Sequence, residues 1–177
     1  MKKNKAFFFD RDGVLVNAII KKNKPFSARN IKEFQISKNS LNIVEFLKKK
    51  KFLIFVITNQ PDVGRNKVDK KIIEQMNNIL KKKLGINQIY TCYCSVDSCP
   101  NRKPNPGMIF KAKQEWNLNL NFSYLVGDRF KDIEAGYRAG LKTFFLDKGY
   151  DEIKPKLQNY TISSILEIKE KFKNEKI

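Results

Sequence analysis

The sequence predicts an α/β fold, a parallel sheet flanked by helices, on three observations. Short apolar runs alternate with segments of helical spacing, the order that builds parallel sheets with helical crossovers. The run Phe52 to Ile57 is continuous, as a strand buried on both faces should be. The apolar runs also stop at polar groups: Phe7-Phe8-Phe9 at Asp10-Arg11-Asp12, Phe52 to Ile57 at Thr58-Asn59, and Phe122 to Val126 at Gly127-Asp128. In a parallel sheet such ends share one edge, and ligands bind outside it.

Each element follows from its residues. Phe7 to Phe9 is too short for anything but a buried strand, and Gly13 just after it permits a sharp turn or a close backbone approach. Residues 13 to 30 read as a loop, with Lys21 to Pro25 strongly polar, able to act as a flap over the strand ends. Leu41, Ile43, Val44, Phe46 and Leu47 give helical spacing from about Asn39 to Lys50. Asp69 is placed to cap a helix carrying Ile72, Ile73, Met76, Ile79 and Leu80, and Gly85 to close it. A third strand is expected over Gln88 to Tyr93. Asn105 reads as an N-cap and Pro106 as the first residue of a helix running to about Trp116. A helix from about Lys131 ends at Gly140, Leu141 to Leu146 is a fifth strand, and a last helix covers about Ser163 to Lys173.

With 177 residues the chain is expected to form a single domain over 1–177. Hydrophobic residues make up 41% and charged residues 31%, the balance of a soluble globular protein. No apolar run approaches the length of a membrane span. The basic start, Met1 to Lys5, leads into a strand-length run ending at Asp10, which is not the pattern of a signal peptide, so a cytoplasmic protein is expected. The net charge of +18 invites a nucleic-acid reading. The lysines, however, are spread along the whole chain, and the runs Lys48 to Lys51 and Lys81 to Lys83 sit at helix ends, where cations suit the macrodipole. A small anionic substrate is therefore the expected partner, and a nucleic acid is not. The chain has no histidine, which excludes Ser-His and Cys-His catalytic pairs and leaves acid–base work to carboxylates, lysine, tyrosine or cysteine.

The strand ends carry Asp10 and Asp12, Thr58 and Asn59, and Asp128, with Lys103 in a nearby loop. Two converging acids, Asp10 and Asp128, suit a hard divalent cation such as magnesium. A cation, a lysine, a hydroxyl and a helix N-terminus together suit a phosphate. A carboxylate is a competent nucleophile toward phosphorus, giving an aspartyl-phosphate. Singly, each residue has an ordinary structural reading: Thr58 and Asn59 as caps, Asp132 as a first-turn acid, Lys103 as one lysine among many. The ordered combination at successive strand ends is what points to chemistry.

In that order the motifs resemble the haloacid dehalogenase (HAD) superfamily phosphatases. Asp10-Arg11-Asp12-Gly13, Thr58, Lys103 and Gly127-Asp128 through Asp132 follow its pattern. Asp-Arg-Asp-Gly-Val, Thr-Asn-Gln, Gly-Arg and Arg-Lys-Pro-x-Pro-Gly-Met are similar to its small branch without a cap domain. That branch includes heptose bisphosphate and histidinol-phosphate phosphatases. The resemblance implies a Rossmann-like, HAD-like sheet with no large cap, and a magnesium-dependent phosphatase acting on a small sugar phosphate. It implies Asp10 as nucleophile, and Asp12 as the acid that protonates the leaving oxygen and then activates water. Thr58 and Lys103 would hold the phosphoryl oxygens, and Asn59 and Arg102 would contact the substrate. Asp10, Asp128 and the backbone carbonyl of Asp12 would hold magnesium, with Asp132 supporting them. Arg65 and Arg102 are candidates to meet a second phosphate. A monomer is expected.

The cysteine loop departs from the pattern. Relatives usually carry a structural zinc there, bound as Cys-x-His and then Cys-x-Cys. Here Cys92 and Cys99 match ligands, Cys94 replaces the histidine and Asn101 stands in the fourth place. Structural zinc normally takes four ligands, so a metal-free loop with reduced thiols is expected, with zinc on Cys92, Cys94 and Cys99 the alternative. The competing functions are a histidinol-phosphate phosphatase, a nucleic-acid 3′-phosphatase, and a scaffold that keeps only the fold.

Overall fold

In the computed structural model, which describes residues 3–174, the apolar runs form a six-stranded sheet. Met1 and Lys2 of the basic start, and residues 175–177, lie outside the described residues. In chain order the elements are β1 (Ala6–Phe9), a hairpin of β2 (Ile19–Lys21) and β3 (Lys24–Phe26), α1 (Ser40–Lys49), β4 (Leu53–Asn59), the short α2 (Pro61–Gly64), α3 (Lys70–Leu84), β5 (Gln88–Cys92), α4 (Gly107–Trp116), β6 (Tyr124–Gly127), α5 (Phe130–Arg138), β7 (Lys142–Leu146), β8 (Tyr160–Ile162) and α6 (Glu167–Asn174). The sheet order is β5-β4-β1-β6-β7-β8, and every neighbouring pair is parallel.

Strand periodicity divides the core in two. Phe7, Phe9, Ile54, Val56, Tyr124, Val126 and Phe144 face α1 and α6. Ala6, Phe8, Phe55, Ile57 and Leu125 face α4 and α5. Side chains of a strand alternate between faces, so a run apolar at every position is stable only when both faces are covered. Phe7 is the hub of the first layer. Its ring lies 4.8 Å from Tyr124, 5.0 Å from Phe52, 5.7 Å from Phe172, 5.8 Å from Phe9 and 6.2 Å from Phe144.

Local signals set most boundaries. The Asp69 carboxylate accepts from the Lys71 amide at 2.8 Å, and Gly85 closes α3 at φ 60°. Four expectations shift. Asn105 does not cap α4: its side-chain amide donates to the carbonyls of Asp97 and Cys99, 3.0 Å each, tying down the cysteine loop, and Pro106 takes the cap position. Phe122 falls in a 3₁₀ turn, so the strand after it starts at Tyr124. The segment read as a loop after Gly13 contains the β2–β3 hairpin, and the polar stretch after Leu146 contains β8, the sixth strand.

The aromatic hub gives a stability prediction. Phe7→Ala should cost about 3–5 kcal/mol, the range for truncating a buried ring. Phe122→Ala, at a ring 64% exposed, should change stability by about 0.5 kcal/mol or less. Urea denaturation of both variants checks the contrast, and equal effects would contradict the hub.

Candidate active site

β1 and β4 lie side by side in the sheet, and β6 flanks β1 on its other side. Their carboxyl ends bring Asp10, Asp12, Thr58 and Asn59 to a cavity also lined by Lys103, Arg129, Lys131 and Asp132. The hairpin covers it, contributing Pro25 and Phe26, with Ala18 and Ser27 beside it. This is the flap position that the loop reading assigned to this segment.

Lys103 is the centre. Lys103 is 3% exposed, and its ammonium lies 2.6 Å from Asp10 Oδ1, 2.6 Å from Asp132 Oδ1 and 2.9 Å from the Ile57 carbonyl. Burial opposes its charge, but the two carboxylates outweigh burial and hold the ammonium well above its ordinary pKa. Asn59 fixes the backbone that carries it. The Asn59 amide donates to the Lys103 carbonyl at 3.0 Å, and its oxygen accepts from the Lys103 N–H at 3.1 Å. Asn59 thus faces the cavity with its amide committed to Lys103.

Asp10 is pushed up to about 7 by burial; Lys103 pulls it back, and the charges of Asp132 and Asp12 raise it further. Asp128 is likewise raised well above its ordinary value, first by burial and then by Asp10 and Asp132. Both Asp128 oxygens are buried without a hydrogen-bond partner. The Tyr150 phenol lies near enough to lower that pKa slightly without making a bond of good geometry. Unpartnered buried carboxylate oxygens demand an explanation, and a cation supplies one. One oxygen each from Asp10, Asp128 and Asp132 lie within 4.8 Å of one another. Oxygen donors of this kind fit magnesium. Asp132 is otherwise engaged, by Lys103 through Oδ1 and by the Arg129 amide at 3.1 Å through Oδ2. That leaves Asp10 and Asp128 as the carboxylates free to hold the ion.

Close packing explains the two motif glycines. A Cβ on Gly13, whose φ is +98°, would lie 1.8 Å from Asp128 Oδ2, and a Cβ on Gly127 would lie 2.1 Å from the Asp132 Cβ. No side chain fits between either backbone and the carboxylate beside it.

Two expected substrate contacts are placed elsewhere. Arg102 is buried and held by the cysteine loop, donating from Nε to Asp97 Oδ1 at 2.9 Å and from Nη1 to the Cys94 carbonyl at 3.0 Å. It does not line the cavity. Arg65 is outside the cavity too, 3.5 Å from Asp62. Arg129 and Lys131 do line the cavity. They are the basic residues between the acids of the Gly-Asp-x-x-x-Asp motif, and that placement was the available signal. Arg11 and Gln60 also escaped notice: Gln60 donates to both Asp12 Oδ2 at 2.8 Å and Thr58 Oγ1 at 2.9 Å.

The cysteines converge, but not as expected. Cys94 and Cys99 are joined as a disulfide rather than left as reduced thiols, because the turn between them brings their Cα atoms to 6.3 Å. Cys92 is a buried free thiol with its sulfur 3.8 Å from that of Cys99. The three sulfurs lie within 4.8 Å of one another, and with Asn101 in the fourth place they offer one ligand fewer than a structural zinc normally takes.

Comparisons with known proteins agree with this geometry. The sequence pattern of the family described as polynucleotide kinase 3 phosphatase matches residues 5–146. A Campylobacter jejuni protein named D-glycero-alpha-D-manno-heptose-1,7-bisphosphate 7-phosphatase is 32% identical over 81% of this chain and 83% of its own length. A Pasteurella multocida protein named as the beta-anomer 7-phosphatase is 30% identical over 93% and 94%. Among solved structures, the D,D-heptose 1,7-bisphosphate phosphatase from B. bronchiseptica, complexed with magnesium and phosphate, superposes with a TM-score of 0.78 at 20% identity, covering 95% of this chain and 97% of that one. The family match spans most of the chain and ends just after β7, so this chain belongs to the polynucleotide kinase 3 phosphatase family of HAD-like phosphatases and is a phosphoric monoester hydrolase.

Proposed function

We propose that the chain hydrolyses the 7-phosphate of a D-glycero-D-manno-heptose 1,7-bisphosphate through an aspartyl-phosphate, as a cytoplasmic monomer. The observation that carries the mechanism is the buried ammonium of Lys103 at 2.6 Å from Asp10 Oδ1. The names of the relatives, which cover most of this chain, support the sugar. Among the described residues no helix is long and apolar enough to cross a membrane.

In this reading Lys103 steadies the Asp10 carboxylate, one oxygen of which attacks phosphorus. The bond from phosphorus to the sugar oxygen breaks, and that oxygen leaves with the proton of Asp12. Water then loses a proton to Asp12 and attacks the acyl phosphate. The bond between phosphorus and Asp10 breaks, releasing inorganic phosphate. Thr58 and Lys103 hold the phosphoryl oxygens throughout, so the chemistry is mainly positioning and charge stabilisation. Asp10, Asp128 and the Asp12 carbonyl would hold magnesium, which offsets the charge of the phosphoryl group when bound. Arg129 and Lys131 at the cavity wall suit the anionic remainder of the substrate.

Three outcomes test this. In a panel of both heptose 1,7-bisphosphate anomers, histidinol phosphate and a 3′-phosphorylated oligonucleotide, one heptose anomer should be turned over fastest; preference for the oligonucleotide would replace the sugar with a nucleic acid. Asp10→Asn should abolish turnover and keep the fold, and substantial residual activity would sink the covalent route. The third outcome follows from the raised pKa of Asp10, ordinarily 3.8. Protonation stabilises the metal-free fold, so this contribution is fully present below the unfolded pKa and is lost as pH rises through about 7. The metal-free protein should therefore melt lower at about pH 8 than at about pH 5.5, and added Mg²⁺ should raise the melting temperature more at the higher pH. Equal magnesium shifts at both would count against Asp10 as a ligand.

A further inference from the structure

Arg11 is the largest fully buried side chain, and the mechanism above gives it no task. Burying a guanidinium is costly unless it is paired and hydrogen-bonded. Its partners explain why it is there. Nε donates to Asp12 Oδ2 at 3.0 Å, Nη2 lies 2.9 Å from the same oxygen, and Nη1 donates to Asn77 Oδ1 at 2.8 Å. Asn77, on α3, is anchored in turn by donating to Thr91 Oγ1 of β5 at 3.0 Å. From the other side Gln60 donates to Asp12 Oδ2 as well, at 2.8 Å.

The two oxygens of Asp12 are thus unequal. An arginine that merely ties two segments together commonly closes its fork on both oxygens of a carboxylate. Here Arg11 Nε and Gln60 both donate to Oδ2, Arg11 Nη2 lies at ion-pair distance from it without a hydrogen bond, and Oδ1 is buried with no partner. An oxygen that already accepts two hydrogen bonds and faces a guanidinium charge is a poor seat for a proton.

We propose that Arg11, Gln60 and Asn77 are positioning residues that clamp Asp12 through Oδ2, so that Oδ1 alone carries the proton to the leaving oxygen and takes it back from water. Gln60 has a second effect. By donating to Thr58 Oγ1 it occupies a lone pair there and turns the hydroxyl hydrogen outward, where it can donate to the phosphoryl group. This inference rests on the phosphatase reading above.

The test uses two substrates with different needs for that proton. A sugar phosphate leaves as an alkoxide and requires it; p-nitrophenyl phosphate leaves as a stable phenolate and does not. In Arg11→Met and Gln60→Leu, kcat on the heptose bisphosphate should fall about 100-fold, the lower range for removing a proton-transfer group, with KM close to wild type. With p-nitrophenyl phosphate the first turnover should keep its wild-type rate. Water attack on the phosphoenzyme, which also needs Asp12, should be slow, giving a phenolate burst of one per chain. Arg11→Lys should recover part of the loss. If Arg11→Met does not fold, Asn77→Ala, which leaves Asp12 and Arg11 in place, carries the test with the same pattern at smaller amplitude. Equal losses in the first-turnover rate on both substrates, a change in KM alone, or unchanged kinetics would overturn the clamp while leaving the phosphatase reading intact. Wild-type protein inert toward both substrates would overturn the two together.

Discussion

The ammonium of Lys103 is the interaction on which the active edge of this protein depends. Asp10, Asp128 and Asp132 are gathered in a buried space where like charges repel and desolvation penalises each of them. One cation placed between Asp10 and Asp132 makes that gathering tolerable. It does so incompletely: burial first, and then the neighbouring carboxylates, still hold Asp10 and Asp128 above their ordinary range. The unbalanced charge is what makes the site receptive to a divalent ion. A site fully neutralised by protein cations would have no use for one.

Around that centre the chain is built to keep distances short. Asn59 grips both the N–H and the carbonyl of Lys103, Asp132 is held by the first turn of α5, and Gly13 and Gly127 remove the side chains that would push Asp128 and Asp132 away. Arg102 extends the scheme to the cysteine loop, where it joins the Cys94 carbonyl to Asp97. Asn105 adds to this by donating to the Asp97 and Cys99 carbonyls, so hydrogen bonds tie the cysteine loop to the segment that carries Lys103.

Much of this was legible in the sequence, and the failures share a cause. Strands with several consecutive apolar residues declared themselves, as did the acids at their ends. β8 did not, because three residues among polar neighbours carry too little periodicity, and the β2–β3 hairpin did not for the same reason. The resemblance implies substrate contacts for Asn59 and Arg102, of which Asn59 lines the cavity and Arg102 does not. The structure commits both to backbone groups that lie near them only in space. Arg11 sits inside the first motif, yet its partner Asn77 is 66 positions away on a helix face that looks merely polar. Sequence exposes residues that repeat a pattern; it hides those whose meaning comes from one distant partner.

The position of β1 has a further consequence. It lies at the middle of the sheet, between β4 and β6, yet it is the first strand synthesised. Its triple phenylalanine must therefore wait, unpaired, until Leu53 and then Tyr124 have been made. Long-range parallel pairing is slow, and a waiting apolar strand is exposed to wrong partners. The strand that ends at Asp10 is thus the segment that a nascent chain must shelter longest.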